Sequence, residues 1–249
     1  LAWLEINGRV ALREWKEDQL QALIDGGSQE ELFEKIASFG REIGFEHCAY
    51  GVRVPLPISS PKIIMLNNYP QSWQRVYQEQ GYLQIDPAVR HGMSSISPYV
   101  WSGIDKKSEE IPFWEDANFH GIASGWAQPV QTPNGIRGMF TVTRSAELIT
   151  AGEIRDRMPK LLWLSQVAHY GLAQHLIQRP NSARLNKLTD RELEVMRWIA
   201  EGKTSSEIAI ILSISERTVN FHTNCAMTKL EAPNRTAAVV RAVLFGLIT

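Results

Sequence analysis

Residues 187–230 constrain this chain more than any other stretch. They read KLTDRELEVMRWIAEGKTSSEIAIILSISERTVNFHTNCAMTKL. Thr189 stands three residues before Glu192, and Thr204 three before Glu207. Each pair is a capping box, in which hydroxyl and carboxylate satisfy free backbone N–H groups at a helix start. Ser215, after the apolar Ile214, marks a third start. Short apolar runs follow the starts: Leu193, Met196, Ile199 and Ala200; then Ile208, Ile211 and Leu212; then Val219, Ala226 and Leu230. Two short helices joined by Ser213, Ile214 and Ser215 make a helix-turn-helix, whose second member, residues 216–230, would enter a DNA major groove. The spacing alone suits a plain three-helix bundle equally well.

The fixed positions decide between the two. Thr189, Arg191, Glu192, Glu194, Trp198, Gly202, Lys203, Thr204, Glu207, Ile208, Ala209, Thr218, Val219, Phe221, His222, Lys229 and Leu230 together resemble the C-terminal domain of LuxR-type regulators. Met196 departs from the leucine usual in that family, a swap of similar volume that packing tolerates.

The 249 residues suffice for one large or two ordinary domains. No apolar run approaches the roughly 20 residues of a membrane span, and no signal-peptide pattern opens the chain, so no membrane partner and a cytoplasmic location are expected. Cys48 and Cys225 fall in different expected domains, outside any CxxC or Cys/His cluster, which argues against a disulfide or a zinc site. The net charge is −1, and residues 187–249 carry eight basic against seven acidic side chains. That footprint is weak for a DNA binder. A single module would hold phosphate poorly, so a homodimer with two modules is expected.

Upstream, a loose apolar stripe over residues 3–25 suggests a first helix, and Ser28 with Glu31 caps a second. Strands are expected at 47–54, 62–68, 99–101, 125–131 and 137–144, the last two joined by a Thr132-Pro133-Asn134-Gly135 turn. Helices are expected at 70–80, from Asp86–Pro87, and at 111–120. A long one, capped by Thr150 and Glu153, runs to about 178 with a kink or restart at Pro159. The fold class is therefore α+β. An N-terminal α/β/α sandwich on an antiparallel sheet, residues 1–178, precedes a polar linker, 179–186, and a C-terminal all-α helix-turn-helix domain, 187–249.

Tyr69, Trp73 and Tyr77 are spaced by four and share one helical face. Such a stripe usually belongs to a core, yet each ring carries a polar tip that needs a partner when buried. Asp86, before Pro87, is an expected N-cap. The order Asn68-Tyr69-Pro70, Trp73, Tyr77, then Asp86-Pro87 and Val89, Trp101, and Gly121 to Gly125 resembles the acyl-homoserine lactone domain of LuxR-type receptors. The resemblance then covers nearly the whole chain.

It implies a role for each residue. The Trp73 indole would donate to the lactone carbonyl, Asp86 would accept the amide N–H, and the Tyr69 hydroxyl would donate to the amide carbonyl. Thr141 would meet the head group or a 3-oxo substituent, Trp101 would pack on the lactone ring, and Tyr77 would line the acyl chain. Chain selectivity depends on residues such as Ile64, Leu66, Val76 and Met139, whose directions the sequence does not fix. The ligand would be an N-acyl-homoserine lactone, with no cofactor or metal.

On the DNA side, Asn220 and Asn224, with Thr223 beside them, are expected to read bases, since Asn can bond adenine at two points. Lys203, Thr204 and Arg217, near helix starts, are expected at phosphates. His222 is expected to pack beside the bundle core with Phe221. The expected partners are double-stranded DNA, the lactone, a second copy of the chain and RNA polymerase.

Two other classes fit less well. A lactone hydrolase would need an HExxH or clustered histidines, and GIASG at 121–125 is no nucleophile elbow. A phosphorylation-controlled response regulator would need acidic residues after its first strand, where Pro55, Leu56 and Pro57 stand. A same-fold regulator for a different small apolar ligand is the alternative nearest to the lactone reading.

Overall fold

One five-stranded sheet forms the backbone of the larger of two compact units, with strand order β2-β1-β5-β4-β3. The strands are β1 (His47–Val54), β2 (Lys62–Asn67), β3 (Tyr99–Trp101), β4 (Ser124–Gln131) and β5 (Arg137–Arg144). The computed structural model describes residues 27–54, 57, 60–101, 110–132, 136–176 and 188–248. The expected helix at 3–25, the linker at 179–186 and the turn residues 133–135 lie outside them.

The central pairing is antiparallel, from His47 opposite Thr143 to Val52 opposite Gly138. Alternation along these strands makes two faces. Cys48, Tyr50, Val52, Phe140 and Val142 are buried on one. That face is covered by α1 (Gln29–Glu42) and the long α5 (Ala151–Leu176), which pack on each other and, through α5, on β5. Inside this layer the Tyr50 hydroxyl meets His169 Nδ1 at 2.7 Å.

The opposite face carries Ala49, Thr141 and Met139. It faces α2 (Gln71–Glu79), a 3₁₀ turn (Tyr82–Gln84), α3 (Pro87–Ser94) and α4 (Ile111–Phe119), from which the second apolar core is built. Helices on both faces of the sheet give the sandwich that the sequence predicts.

Local chemistry sets the helix boundaries. Ser28 and Glu31 form a reciprocal capping box at α1. Thr150 and Glu153 do the same at α5, with Glu153 N–H donating to Thr150 Oγ1 at 3.2 Å. Pro159 does not restart α5, the second of the two outcomes expected from the sequence: the helix is continuous from Ala151 to Leu176. Pro159 and Arg155, whose carbonyl loses its donor, are both exposed, so water can satisfy that carbonyl.

Beside the start of α5 lies a knot of charge. Arg144, 7% exposed, donates to Glu147 O and Leu148 O and to both oxygens of Glu153 at 2.7 and 2.8 Å.

The smaller unit holds α6 (Asp190–Ala200), α7 (Ser205–Leu212), α8 (Glu216–Lys229) and α9 (Arg235–Leu244). Both capping boxes, Thr189–Glu192 and Thr204–Glu207, form as the spacing requires, and Ser215 caps α8. Ser213 takes the left-handed conformation that turns α7 into α8. The fourth helix, α9, lies beyond the three read from the sequence and is capped by Asn234. Met196, Ala226, Leu230, Ala238 and Ala242 bury the α6–α8–α9 seam, and Val195, Ile208 and Val219 the α6–α7–α8 seam. Lys229 reaches both oxygens of the buried Glu192 at 2.7 Å, tying the end of α8 to the first turn of α6.

Candidate ligand site and nucleic-acid interface

The apolar cluster between the sheet and α2–α4 is built around Trp73. It is 3% exposed and touches the rings of Tyr77 (5.6 Å between centroids), Tyr82 (5.8 Å), Phe113 (5.8 Å) and His120 (6.0 Å). Trp101 and Trp114 extend this aromatic wall at 5.9 Å from each other. Tyr69, Tyr77, Val76 and Met139 pack against the same cluster and keep part of their surface accessible. Of the six residues that the sequence analysis singles out here, four rings therefore meet in one place.

Asp86 joins them through Tyr77, whose hydroxyl donates to Asp86 Oδ2 at 2.9 Å. Its other oxygen accepts from Ala88 N–H at 2.8 Å and Val89 N–H at 3.4 Å, capping α3. Thr141, 7% exposed, stands opposite Ala49 and on the same side of β5 as Met139. Tyr77 has a polar role at Asp86 beyond the apolar lining assigned to it from the sequence.

Electrostatics mark the place as water-poor. Burial raises the Asp86 carboxyl above its ordinary value, against the opposing hydrogen bonds of Tyr77, Ala88 and Val89. Burial likewise raises the phenols of Tyr69 and Tyr77, with the nearby Asp86 charge adding to the effect. The wholly buried Thr143 lies beside the Tyr69 hydroxyl. The Trp101 and Trp114 indole nitrogens are buried without a hydrogen-bond partner among the described residues. Gly125, opposite Trp101 in the β3–β4 pair, is required by packing, because an added Cβ would run into the Trp101 indole.

Sequence reasoning missed Tyr82, Phe113, Trp114 and Thr143. The run Ile111-Pro112-Phe113-Trp114 was the available signal for two of them, and helical spacing placed both on α4. Tyr82 is held by a hydrogen bond from its hydroxyl to Asp116 Oδ2.

In the smaller unit, α8 exposes Arg217, Asn220, Phe221, Asn224 and Thr228 along one face, while Val219, Thr223 and Ala226 face the core. Thr223 thus departs from the expected base-facing role: it is 6% exposed and its hydroxyl donates to Val219 O at 2.9 Å. Phe221 departs too, being 61% exposed rather than packed beside the core. Asn220 Oδ1 accepts from Ser205 Oγ at 2.8 Å, and Arg235 donates to Ser205 Oγ and to Lys203 O. This orients Asn220 against the start of α7, where Lys203 and Thr204 lie. The Thr204 hydroxyl is committed to Glu207, donating to its carboxylate at 2.8 Å.

Among the described residues no group of three or more His, Cys, Asp or Glu could hold a metal ion, and no helix is long and apolar enough to cross a membrane. Cys48 and Cys225 are free thiols, and burial pushes the Cys48 thiol up to about 12.

Residues 28–171 match the family model of the autoinducer binding domain, and residues 186–242 that of bacterial regulatory proteins of the luxR family. The transcriptional activator protein AnoR of Acinetobacter nosocomialis is 44% identical over 239 residues, covering 95% of this chain and 100% of AnoR. This chain belongs to the LuxR family. Its fold agrees with that of Escherichia coli SdiA at a TM-score of 0.78 and 33% identity, covering 96% of this chain and 99% of that one. SdiA in complex with octanoyl-rac-glycerol gives a TM-score of 0.76 at 32% identity, over 95% and 96% of the two chains. CepR2 of Burkholderia cenocepacia, described as N-acylhomoserine lactone dependent, gives 0.58 at 31% identity over 66% of this chain and 93% of CepR2. The LuxR-family chain is accordingly a DNA-binding transcriptional regulator with an autoinducer-binding domain, and its relatives are regulators rather than enzymes.

Proposed function

We propose that this regulator binds an N-acyl-homoserine lactone on the aromatic wall described above and, as a homodimer, a palindromic DNA site. The observation that carries the reading is Asp86. Its carboxyl is raised by burial, yet the residue retains accessible surface. It sits against the aromatic cluster of Tyr69, Trp73, Tyr77 and Trp101, joined to it by the Tyr77 hydroxyl at 2.9 Å. Its polar points complement the ligand. Asp86 accepts the amide N–H, Trp73 donates to the lactone carbonyl and Tyr69 to the amide carbonyl. Thr141 serves the head group, and Trp101 packs on the ring.

Residues 1–178 would bind ligand and dimerise, 179–186 would link, and 187–249 would bind DNA. Occupancy stabilises the first part by mass action and favours the dimer. Two α8 helices then meet half-sites about one helical turn apart. Asn220 and Asn224 read bases, and Lys203 and Arg217 hold phosphates. The near-neutral charge of the DNA-binding part makes pairing necessary for affinity.

A second reading has one observation behind it: the SdiA relative has been seen with octanoyl-rac-glycerol, an ester with no amide N–H. Extraction of the purified protein followed by mass spectrometry, together with titration by both ligand classes, separates the two. Lactone-dependent thermal stabilisation and lactone-dependent DNA binding support the first reading. Stabilisation by acyl glycerols with no response to lactones would replace it with the second.

A further inference from the structure

Asn220 lies on the exposed face of α8, and its amide is already engaged there. Its Oδ1 accepts from Ser205 Oγ of α7 at 2.8 Å. The Ser205 oxygen in turn accepts from Arg235 Nη1 at 3.2 Å. Arg235, half-buried at the start of α9, has its other terminal nitrogen fixed on Lys203 O at 2.8 Å. Lys203 is itself anchored, its N–H donating to Trp198 O at 3.0 Å. Helices α7, α8 and α9 thus supply one member each to a relay that runs one way, from guanidinium to hydroxyl to amide oxygen.

The direction of the relay decides what the amide can offer to DNA. A guanidinium only donates, so the Ser205 oxygen accepts from it and keeps its single hydrogen for Asn220. The positive charge also favours the amide oxygen on that side over the amide hydrogens. The NH2 group then lies on the side away from Ser205. Asn220 enters a groove with two donors to give and its acceptor engaged. Bidentate pairing with adenine needs a free oxygen for N6–H beside a donor for N7. Guanine presents O6 and N7 side by side, both acceptors, and suits a group that only donates.

We propose that Ser205, held by Arg235, sets the base preference of Asn220 by occupying its amide oxygen, so that this asparagine selects a G·C pair over an A·T pair. The proposal rests on the reading of α8 as the DNA-contacting helix and narrows it. Ser205 and Arg235 act as positioning residues, and neither needs to touch a base. To take adenine, Asn220 must give up the Ser205 bond, a loss of roughly fivefold in affinity. Guanine requires no such rearrangement. Docking of α8 excludes water from the relay, which strengthens its bonds.

The test is selection of randomised DNA duplexes by the full chain, with and without a mixture of straight-chain N-acyl-homoserine lactones. Selected sites are then titrated with single base pairs exchanged. Asn220→Ala identifies the position that this residue reads. The unsubstituted protein is expected to prefer G·C there over A·T by about tenfold. Ser205→Ala frees the amide to turn and present both its groups, so the preference at that one position moves to A·T. Ser205→Thr keeps the hydroxyl and should keep the G·C preference. A merely structural role for Ser205 would weaken every duplex alike in Ser205→Ala, and that result overturns the proposal. An A·T preference at that position in the unsubstituted protein overturns it too, while leaving α8 as the reader of DNA. Should Ser205→Ala fail to fold, the preference of the unsubstituted protein alone decides. If Asn220→Ala alters no position, or no duplex is enriched, the reading of α8 itself fails and the proposal falls with it.

Discussion

Replacing Asp86 by Asn separates capping from ligand recognition. Asn is as good an N-cap as Asp, and its carbonyl oxygen can keep the bonds now made by Oδ1 to Ala88 and Val89. Helix α3 should therefore start where it does. On the other side the amide nitrogen replaces Oδ2, and the Tyr77 hydroxyl, which donates there at 2.9 Å, must turn to accept. What is lost is a charged acceptor for the ligand amide. A hydrogen bond to a charged group contributes about 1.5–3 kcal/mol. The expected weakening of lactone Kd is thus about 10- to 150-fold at 1.4 kcal/mol per decade. Asp86→Ala removes the cap as well, which costs about 1 kcal/mol more and lowers the melting temperature.

The assay is isothermal titration with the lactone beside thermal melts of both variants. A Kd for Asp86→Asn within about twofold of the unsubstituted protein would refute the assignment. The raised carboxyl adds a sign that can be checked. Because the folded value lies above the unfolded one, this group by itself favours the folded chain as pH falls through the folded value. An amide N–H favours the charged form, so lactone binding expels a proton in that pH range. Titrations in buffers of different ionisation heat should show the release, and Asp86→Asn should abolish it.

Other perturbations follow from single contacts. Arg144→Ala removes one of two arginines from Glu153, leaving Arg157 at 2.7 Å, and should cost about 1–3 kcal/mol in urea unfolding. The bonds from Arg144 hold Glu153 below its ordinary 4.5. That stabilisation is complete above the unfolded value and lost as pH falls through the lower folded one, so the variant should lose less stability in acid. Gly125→Ala should drive the Trp101 indole from its seat, with a stability loss of about 1–3 kcal/mol and weaker lactone binding; an unaltered melt and Kd would contradict the packing argument. Asn220→Ala should relax base preference in a panel of DNA sites, whereas Thr223→Val should leave preference unchanged; the reverse result would mean that α8 presents a different face.

The features legible in the sequence are those fixed by near neighbours. The Thr189–Glu192 and Thr204–Glu207 boxes need only three residues to be recognised, and both form. The Tyr69, Trp73 and Asp86 pattern announces its cluster through residue types that bury apolar surface and still demand polar partners. Thr223 was misjudged because turning a helix by one residue exchanges a groove-facing side chain for a core-facing one, and only packing on α6 and α7 sets that rotation. Pro159 does not restart the helix because its local penalty is small beside the burial of a 26-residue helix and falls on the exposed side. The close approach of Gly92 to Met139 joins residues far apart in the chain, which no periodicity reveals.

The strand register also carries a lesson about the order of assembly during synthesis. His47 is paired with Thr143, about two-thirds of the autoinducer-binding domain further along the chain. The first strand must therefore wait, lacking its main partner, until roughly a hundred more residues have left the ribosome. The reader of DNA has no such delay, since each of its four helices carries its own local start signal. A nascent chain of this kind is most exposed to aggregation in its front part, and chaperone demand should track the emergence of β5.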